Sequence, residues 1–285
     1  MALGSHRVAS GRFSRVDDVV CGFGPHDRAF EEQHGASCVA VVTSGSFRYR
    51  STLGSAVLAP GSLLLGNAYH CFECSHEYGV GDRCLSFRFA PEFLEGVAAA
   101  LPGVAHVAFP VPRLPPLPAL LPIVAAAEAA RDDGCGDEFE ELALRLAGAA
   151  LGASADGKHS TRPPTFREEK RIISALRLIE AKADAPLSLT VLARAAAMSP
   201  YHFLRTFRAV VGMTPHQFIL HTRLSRAAVR LRRTAESIAT IAFSVGFNDL
   251  STFNRRFQRV MGLSPSAHRA RAWQNGQRRR LNWLR

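Results

Sequence analysis

The chain contains no segment suited to crossing a membrane. Its most apolar run, LPPLPALLPIVAAAEAA, is interrupted by prolines and is too short to span a bilayer. The N-terminus also lacks the apolar core of a secretion signal. We therefore expect a cytoplasmic protein with no membrane partner.

Cysteine is scarce and unevenly placed. The chain has six cysteines, and all of them lie at or before Cys135. Since cytoplasmic thiols are kept reduced, structural disulfides are not expected.

Acidic residues are scarce in the second half. Residues 1–160 contain 12 Lys/Arg and 18 Asp/Glu, a net of −6, whereas residues 161–285 contain 23 Lys/Arg and 6 Asp/Glu, a net of +17. Such a split indicates an acidic or neutral module joined to one that binds a polyanion. Nucleic acid is the leading candidate and a membrane surface the weaker one.

The first hundred residues read as short strands separated by turns. The segments SCVAVVTSGSFRYRS, AVLAPGSLLLGN and RCLSFRFAP combine β-branched or alternating apolar residues with Gly, Pro and Asn turns. In the third segment Leu85, Phe87 and Phe89 are expected to face inward, against Ser86 and Arg88. This spacing predicts a small antiparallel barrel or sandwich.

Helical patterns follow. LPALLPIVAAAEAA and DEFEELALRLAGAALGA have helical spacing of apolar residues, and the Gly-, Ser- and Pro-containing segment SADGKHSTRPPT marks a linker. From Phe166 onward the whole chain reads as helical. Thr214 and Ser264, each followed by proline, are predicted N-caps.

A duplicated unit dominates the basic half. LTVLARAAAMSPYHFLRTFRAVVGMTP aligns with SIATIAFSVGFNDLSTFNRRFQRVMGLSP, with Phe203 on Phe253 and Phe207 on Phe257. Aligned residues are 49 positions apart in the first helix of the unit and 50 apart in the second. The one-residue difference falls between the two helices, where a turn can accommodate it. Residue identity, spacing and turn chemistry together predict two helix-turn-helix units.

The second helix of each unit is predicted to have two faces. Its two phenylalanines are four residues apart, so they share a face that packs into the core of the unit. The opposite face carries side chains suited to base edges and phosphates. These are Tyr201, His202, Leu204, Arg205 and Arg208, and Ser251, Thr252, Asn254, Arg255 and Arg256. For either helix alone a merely solvated face is the simpler interpretation, but the duplication and the charge favour DNA.

The segments MSPYHFLRTFRAVVGMTPHQFI, RLSRAAVRLRR and IATIAFSVGFNDLSTFNRRFQRVMGLSPSAHR resemble the DNA-binding domain of the AraC/XylS family of bacterial transcription regulators. The resemblance implies two helix-turn-helix units joined by a long helix, and activation or, less often, repression of nearby promoters. It places the DNA-binding positions on Tyr201, His202, Leu204, Arg205, Ser251, Thr252, Asn254 and Arg255. Leu204 departs from the family, in which a polar residue is common there, and could contact a thymine methyl instead.

The strand-rich start followed by two helices resembles the cupin-type sensing and dimerisation domain of many family members. The resemblance implies a multi-domain α+β protein: a cupin-like antiparallel β-barrel (1–110), dimerisation helices (111–153), a linker (154–165), an all-α double helix-turn-helix domain (166–270) and a basic tail (271–285). Expected partners are promoter DNA, RNA polymerase, an unidentified small-molecule effector and a second copy of the chain. No cofactor and no enzymatic activity are expected.

One local cluster could carry chemistry of its own. The stretch HCFECSHEYGVGDRC contains His70, Cys71, Cys74, His76 and Cys84, and its Cys-x-x-Cys spacing is used for zinc or redox work. Buried structural cysteines are the favoured interpretation, with thiol sensing and metal binding as alternatives. A barrel with its own metal-dependent activity is a weaker alternative, because the His-x-His pair of cupin enzymes is missing.

Overall fold

The N-terminal half is built mainly from short strands. The computed structural model describes residues 4–11, 14–29, 31–76, 81–104, 106–133, 138–155 and 164–282. Within these ranges the strands are β1 (Gly4–Ser10), β2 (Ser14–Cys21), β3 (Glu31–Gln33), β4 (Ser37–Ser44), β5 (Phe47–Ser51), β6 (Gly54–Leu58), β7 (Leu63–Gly66), β8 (Cys71–Ser75), β9 (Asp82–Phe89) and β10 (Arg113–Leu114).

The strands form two antiparallel sheets. One has the order β1-β2-β9-β4-β7-β10 and the other the order β3-β8-β5-β6. The two sheets enclose a small apolar core that includes Tyr49 and Leu58. The predicted antiparallel β architecture of the N-terminal region, followed by helices, is thus confirmed.

Strand β4 is buried on both faces, which explains its continuous apolar sequence. Val39 and Val41 belong to the core beneath the helices, whereas Cys38, Ala40 and Val42 belong to the core between the sheets. The period-2 geometry of a strand sends alternate side chains to these two cores.

The alternation predicted for β9 is present, but its apolar face lies on the outer side of the six-stranded sheet. Leu85, Phe87 and Phe89 pack beneath the helices. Ser86 and Arg88 line a cavity between the sheets instead. The three apolar residues are thus buried as predicted, in the core beneath the helices rather than in the core between the sheets.

In the described part of this half, the helices that accompany the sheets are α1 (Pro91–Ala99), α2 (Leu121–Asp133) and α3 (Glu138–Ala155). Helix α3 buries Phe139, Leu142, Leu146 and Ala150 against the six-stranded sheet. The rings of Phe87 and Phe139 are 5.9 Å apart between centroids. The apolar face predicted for α3 therefore packs against the six-stranded sheet of the same chain.

The basic half is helical throughout its described part. Its helices are α4 (Phe166–Lys182), α5 (Leu189–Ala195), α6 (Pro200–Val211), α7 (Pro215–Arg233), α8 (Ile238–Ser244), α9 (Leu250–Met261) and α10 (Pro265–Asn282). The predicted caps are present: Thr214 forms a capping box with Gln217, and the Ser264 hydroxyl accepts from the backbone of Ala267. Among the described helices, none combines the length and apolarity that a membrane crossing requires.

The two halves share cores. Val57 and Ala59, from β6 and the turn after it, join the core of the first helix-turn-helix unit, and Leu121 and Ala125 of α2 join that of the second. Arg48 of β5 also forms an ion pair with Glu169 of α4 at 2.5 Å. Helix α4 thus covers most of the Arg48 side chain, which is 17% exposed. The helical half is thus docked on the strand half through apolar and ionic contacts.

Candidate nucleic-acid interface

The first unit consists of α5 and α6. Ser199 caps α6 by accepting from the backbone N–H of His202 at 3.4 Å, and Pro200 occupies the first turn. Phe203 and Phe207 are fully buried, with ring centroids 5.5 Å apart. This packing fixes which face of α6 is turned toward solvent.

The second unit repeats this construction in α8 and α9. Asp249 caps α9 by accepting from the backbone N–H groups of Ser251 at 3.3 Å and Thr252 at 2.7 Å. Phe253 and Phe257 are fully buried, again with centroids 5.5 Å apart. The matching geometry supports the sequence interpretation that these are two copies of one unit.

The turn inside each unit uses the same backbone device. Met198 donates to the carbonyl of Ala193, and Phe247 donates to that of Ala242, at 2.9 and 3.1 Å. The residue before each donor is left-handed: Ala197 has φ 49° and Gly246 has φ 95°. The two units therefore have the same turn geometry, and the extra residue of the second unit, Asn248, lies after that turn.

Helix α7 connects the units and is anchored by Arg223. Its guanidinium donates to the carbonyls of Ala183 at 2.6 Å, Ala185 at 3.0 Å and Gly246 at 2.7 Å. It thereby joins the end of α4 to the turn of the second unit. Nineteen helical residues span about 28 Å, which is comparable to the ~34 Å between successive major-groove faces of B-DNA.

The predicted reading positions of α6 differ in their accessibility. Arg205 is exposed, and Leu204 is 38% exposed. His202 is half-buried, and its Nε2 lies 3.6 Å from a carboxylate oxygen of Glu168 on α4. Tyr201 has its backbone in α6, but its side chain lies outside the described part of the structure.

On α9 the predicted reading positions are more open. Ser251, Asn254 and Arg255 are exposed and Thr252 is half-buried. Hydrogen bonds from the side chain and backbone of Thr252, and from the backbone of Ser251, hold the pKa of Asp249 below its usual value. The cap is therefore anionic at neutral pH, and the two arginines Arg255 and Arg256 follow it within two turns.

The predicted cysteine–histidine set is divided by the fold. Cys74, His76 and Cys84 line the cavity between the sheets, which has a volume of about 170 Å³. His70 lies outside this group, where its Nδ1 is 2.7 Å from the hydroxyl of Thr52, and Cys71 is exposed. Cys71 and Cys74 thus have different surroundings, as expected for positions three apart on a strand.

Two residues absent from the predicted set also line this cavity. Cys21 and Asp82 are direct cross-strand partners on β2 and β9, and both are buried next to His76. Although burial opposes the charged imidazole, hydrogen bonds with Asp82 and Cys21 raise the pKa of His76 to about 9. Sixty residues of sequence separate Cys21 from Asp82, so only the strand pairing could have revealed their proximity.

Comparison with known proteins identifies relatives of the basic half. Residues 192–271 match a helix-turn-helix domain family. Ninety residues are 40% identical to the MmsAB operon regulatory protein of Pseudomonas aeruginosa, covering 32% of this chain and 29% of that protein. A segment of 103 residues is 35% identical to regulatory protein SoxS of Escherichia coli K12, covering 36% of this chain and 96% of SoxS.

The chain therefore spans less than a third of the MmsAB regulator and nearly all of SoxS. Among solved structures, ToxT of Vibrio cholerae O395 is 14% identical, with 89% of this chain and 96% of ToxT covered and a TM-score of 0.36.

Proposed function

Because the chain belongs to the AraC/XylS family of DNA-binding transcription regulators, we propose that α6 and α9 are its two DNA-reading helices. The observation that carries this proposal is the repeated geometry of the units. In each, a buried phenylalanine pair fixes one face of the second helix, and the other face presents exposed polar or charged side chains. The net charge of +17 in residues 161–285 supplies the attraction to phosphate.

The proposed contacts to DNA are the eight positions on these faces. Arg205 and Arg255 are suited to bidentate contacts with guanine, and Asn254 to adenine. Leu204 is suited to an apolar contact with a thymine methyl. The full set is Tyr201, His202, Leu204, Arg205, Ser251, Thr252, Asn254 and Arg255.

For the N-terminal half we propose a sensing role. The cavity between the sheets supports it, because Arg88 and His34 offer polar groups among apolar side chains there. The shared cores and the Arg48–Glu169 ion pair supply a direct mechanical path to the helical half. A small-molecule effector in the barrel would then bias the docking of the two halves, and through it the spacing of the reading helices.

The proposed working form is a homodimer that activates transcription with RNA polymerase at nearby promoters. We also propose the division into sensing barrel, dimerisation helices, linker and double helix-turn-helix domain. A constitutive regulator with an unused barrel is the alternative, and it predicts one operator affinity under every small-molecule condition.

Sequencing of genomic fragments retained by the purified full-length protein tests the proposal. The selection is run near physiological salt, where non-specific binding is suppressed. We expect discrete sites that each contain two half-sites about one helical turn apart. Retention that is diffuse and equally salt-sensitive for all fragments would contradict the assignment of α6 and α9 as reading helices.

A further inference from the structure

Three different metal-ligating side chains meet at one end of the cavity between the sheets. Cys21 ends β2, Asp82 begins β9, and His76 follows β8. One ligand atom from each of the three lies within 4.8 Å of the other two. All three residues are buried, with 5%, 8% and 7% of their surfaces exposed for Cys21, Asp82 and His76.

The fold holds these side chains in place from both sheets. Cys21 and Asp82 face each other across the β2–β9 pair of the six-stranded sheet. His76 comes from the end of the four-stranded sheet, and its ring stacks on Phe47 at a centroid distance of 5.7 Å. Its Nε2 is hydrogen-bonded to Oδ2 of Asp82. The aromatic contact and the hydrogen bond orient the imidazole toward the other two ligands.

The donor set is one sulfur, one nitrogen and one oxygen, which suits a borderline-soft cation such as Zn²⁺. With metal–ligand distances of about 2.0–2.3 Å, tetrahedral ligand atoms lie about 3.3–3.8 Å apart. Metal binding would therefore open the hydrogen bond between His76 and Asp82 and draw the more distant ligand atoms together by about 1 Å. We propose that Cys21, His76 and Asp82 form a Zn²⁺-binding site whose fourth coordination position opens into the cavity between the sheets.

The group adjoins the cavity, because Cys21, His76 and Asp82 all line it. Cys84 lines it as well, and its Sγ lies 3.6 Å from Oδ1 of Asp82. Three protein ligands with one exchangeable position are typical of zinc sites that bind a further ligand. A bound ion would also join the two sheets, because His76 directly follows β8 of one sheet and Cys21 and Asp82 lie in strands of the other.

The competing explanation is a buried His–Asp hydrogen bond with a thiol packed beside it. Both explanations account for the burial, but only the metal site predicts a thiolate–metal bond at Cys21. The exposed Cys71, on β8 and outside the group, is the matched control.

Cobalt substitution of the reduced, chelator-treated full-length protein tests the site. Co²⁺ is expected to bind once per chain and to give a thiolate charge-transfer band in the near ultraviolet. Cys21→Ser should abolish that band. It should also lower the affinity for Zn²⁺, measured by competition with Co²⁺, by about 100-fold or more, because the loss of a residue that only supports a ligand already costs about 10- to 100-fold. Cys71→Ser should leave both unchanged. Absence of Co²⁺ uptake, or a band that survives in Cys21→Ser, would overturn the proposal.

A measurement on the unaltered chain avoids dependence on the folding of the variant. Alkylation of each cysteine by iodoacetamide is followed by mass spectrometry with and without Zn²⁺. Because Cys21 is buried, it is alkylated only when the fold opens locally, in mild urea, and a bound metal would oppose that opening and shield the thiolate. Labelling of Cys21 should therefore slow at least about tenfold with Zn²⁺ while that of Cys71 does not change. Equal labelling of Cys21 in both conditions would refute the site.

Discussion

The left-handed turns of the two helix-turn-helix units predict opposite effects for two exchanges of glycine and alanine. Ala197 is exposed and has φ 49°. A left-handed backbone costs a residue with a Cβ about 1–2 kcal/mol, and Ala197→Gly removes this cost. The greater freedom of glycine in the unfolded chain opposes this gain, because it destabilises the folded state by about 0.4–1 kcal/mol. Ala197→Gly should therefore stabilise the basic half by about 0.5–1 kcal/mol.

Gly246→Ala should have the opposite effect and destabilise the basic half. Gly246 has φ 95°, and a Cβ there would lie 2.5 Å from the carbonyl oxygen of Asp184 and 2.9 Å from Cζ of Arg223. The backbone strain of about 1–2 kcal/mol then adds to overpacking of about 1–3 kcal/mol. The total loss should be about 2–5 kcal/mol, because the clash falls on the contacts that join α4, α7 and the turn.

Urea unfolding followed by tryptophan fluorescence measures both effects. The two tryptophans, Trp273 and Trp283, lie in the basic half, so the signal reports on that half within the full chain. Ala195→Gly is the control: this residue is exposed and ends α5, and its loss of helix propensity should destabilise by about 0.5–1 kcal/mol. If Ala197→Gly destabilised to the same extent as Ala195→Gly, the left-handed turn in the first unit would be wrong.

Two further predictions concern Glu180 and the ion pair between Arg48 and Glu169. Burial raises the pKa of Glu180 to about 7, against the opposing effect of Arg177 and Arg226. Folding therefore favours its protonated form, and the protein loses stability as pH rises from about 4.5 to about 7. The Glu180→Gln variant should gain free energy of unfolding relative to the unaltered protein over this window, by up to about 1.4 kcal/mol per pH unit in urea unfolding. A gain independent of pH would contradict this prediction. For the Arg48–Glu169 ion pair, a double-mutant cycle of Arg48→Met and Glu169→Gln should give a coupling of about 1–3 kcal/mol, whereas additive effects would show that the halves are not held together by this pair.

Local signals explain what the sequence could predict. The caps at Thr214 and Ser264, and the phenylalanine pairs four residues apart, depend on neighbours within one or two turns of helix. These features identify the helix-turn-helix units and the exposed faces of α6 and α9 before any tertiary contact is known. The last helix runs to Asn282, past the proposed domain limit at 270, within a segment that the sequence already predicts to be helical.

Contacts between distant segments explain what the sequence could not predict. The pairing of β2 with β9 brings Cys21 to Asp82, and the docking of the halves covers Arg48 with Glu169. Leu121 fills the core of the second unit, although its own segment shows only a generic helical pattern. Each contact depends on the tertiary arrangement of elements with no local signature, so the cysteine motif pointed to Cys71 rather than Cys21.

The reading-helix assignment is tested most directly by the affinity of the protein for a selected site and for a scrambled duplex of equal length. The variants are Arg205→Ala and Arg255→Ala, with Arg7→Ala on the exposed edge strand β1 as the control. Each reading-helix variant should lose about 1–3 kcal/mol, or about 5- to 150-fold, on the selected site and much less on the scrambled one. Equal losses on both duplexes, or no loss on the selected site, would contradict base reading by α6 and α9.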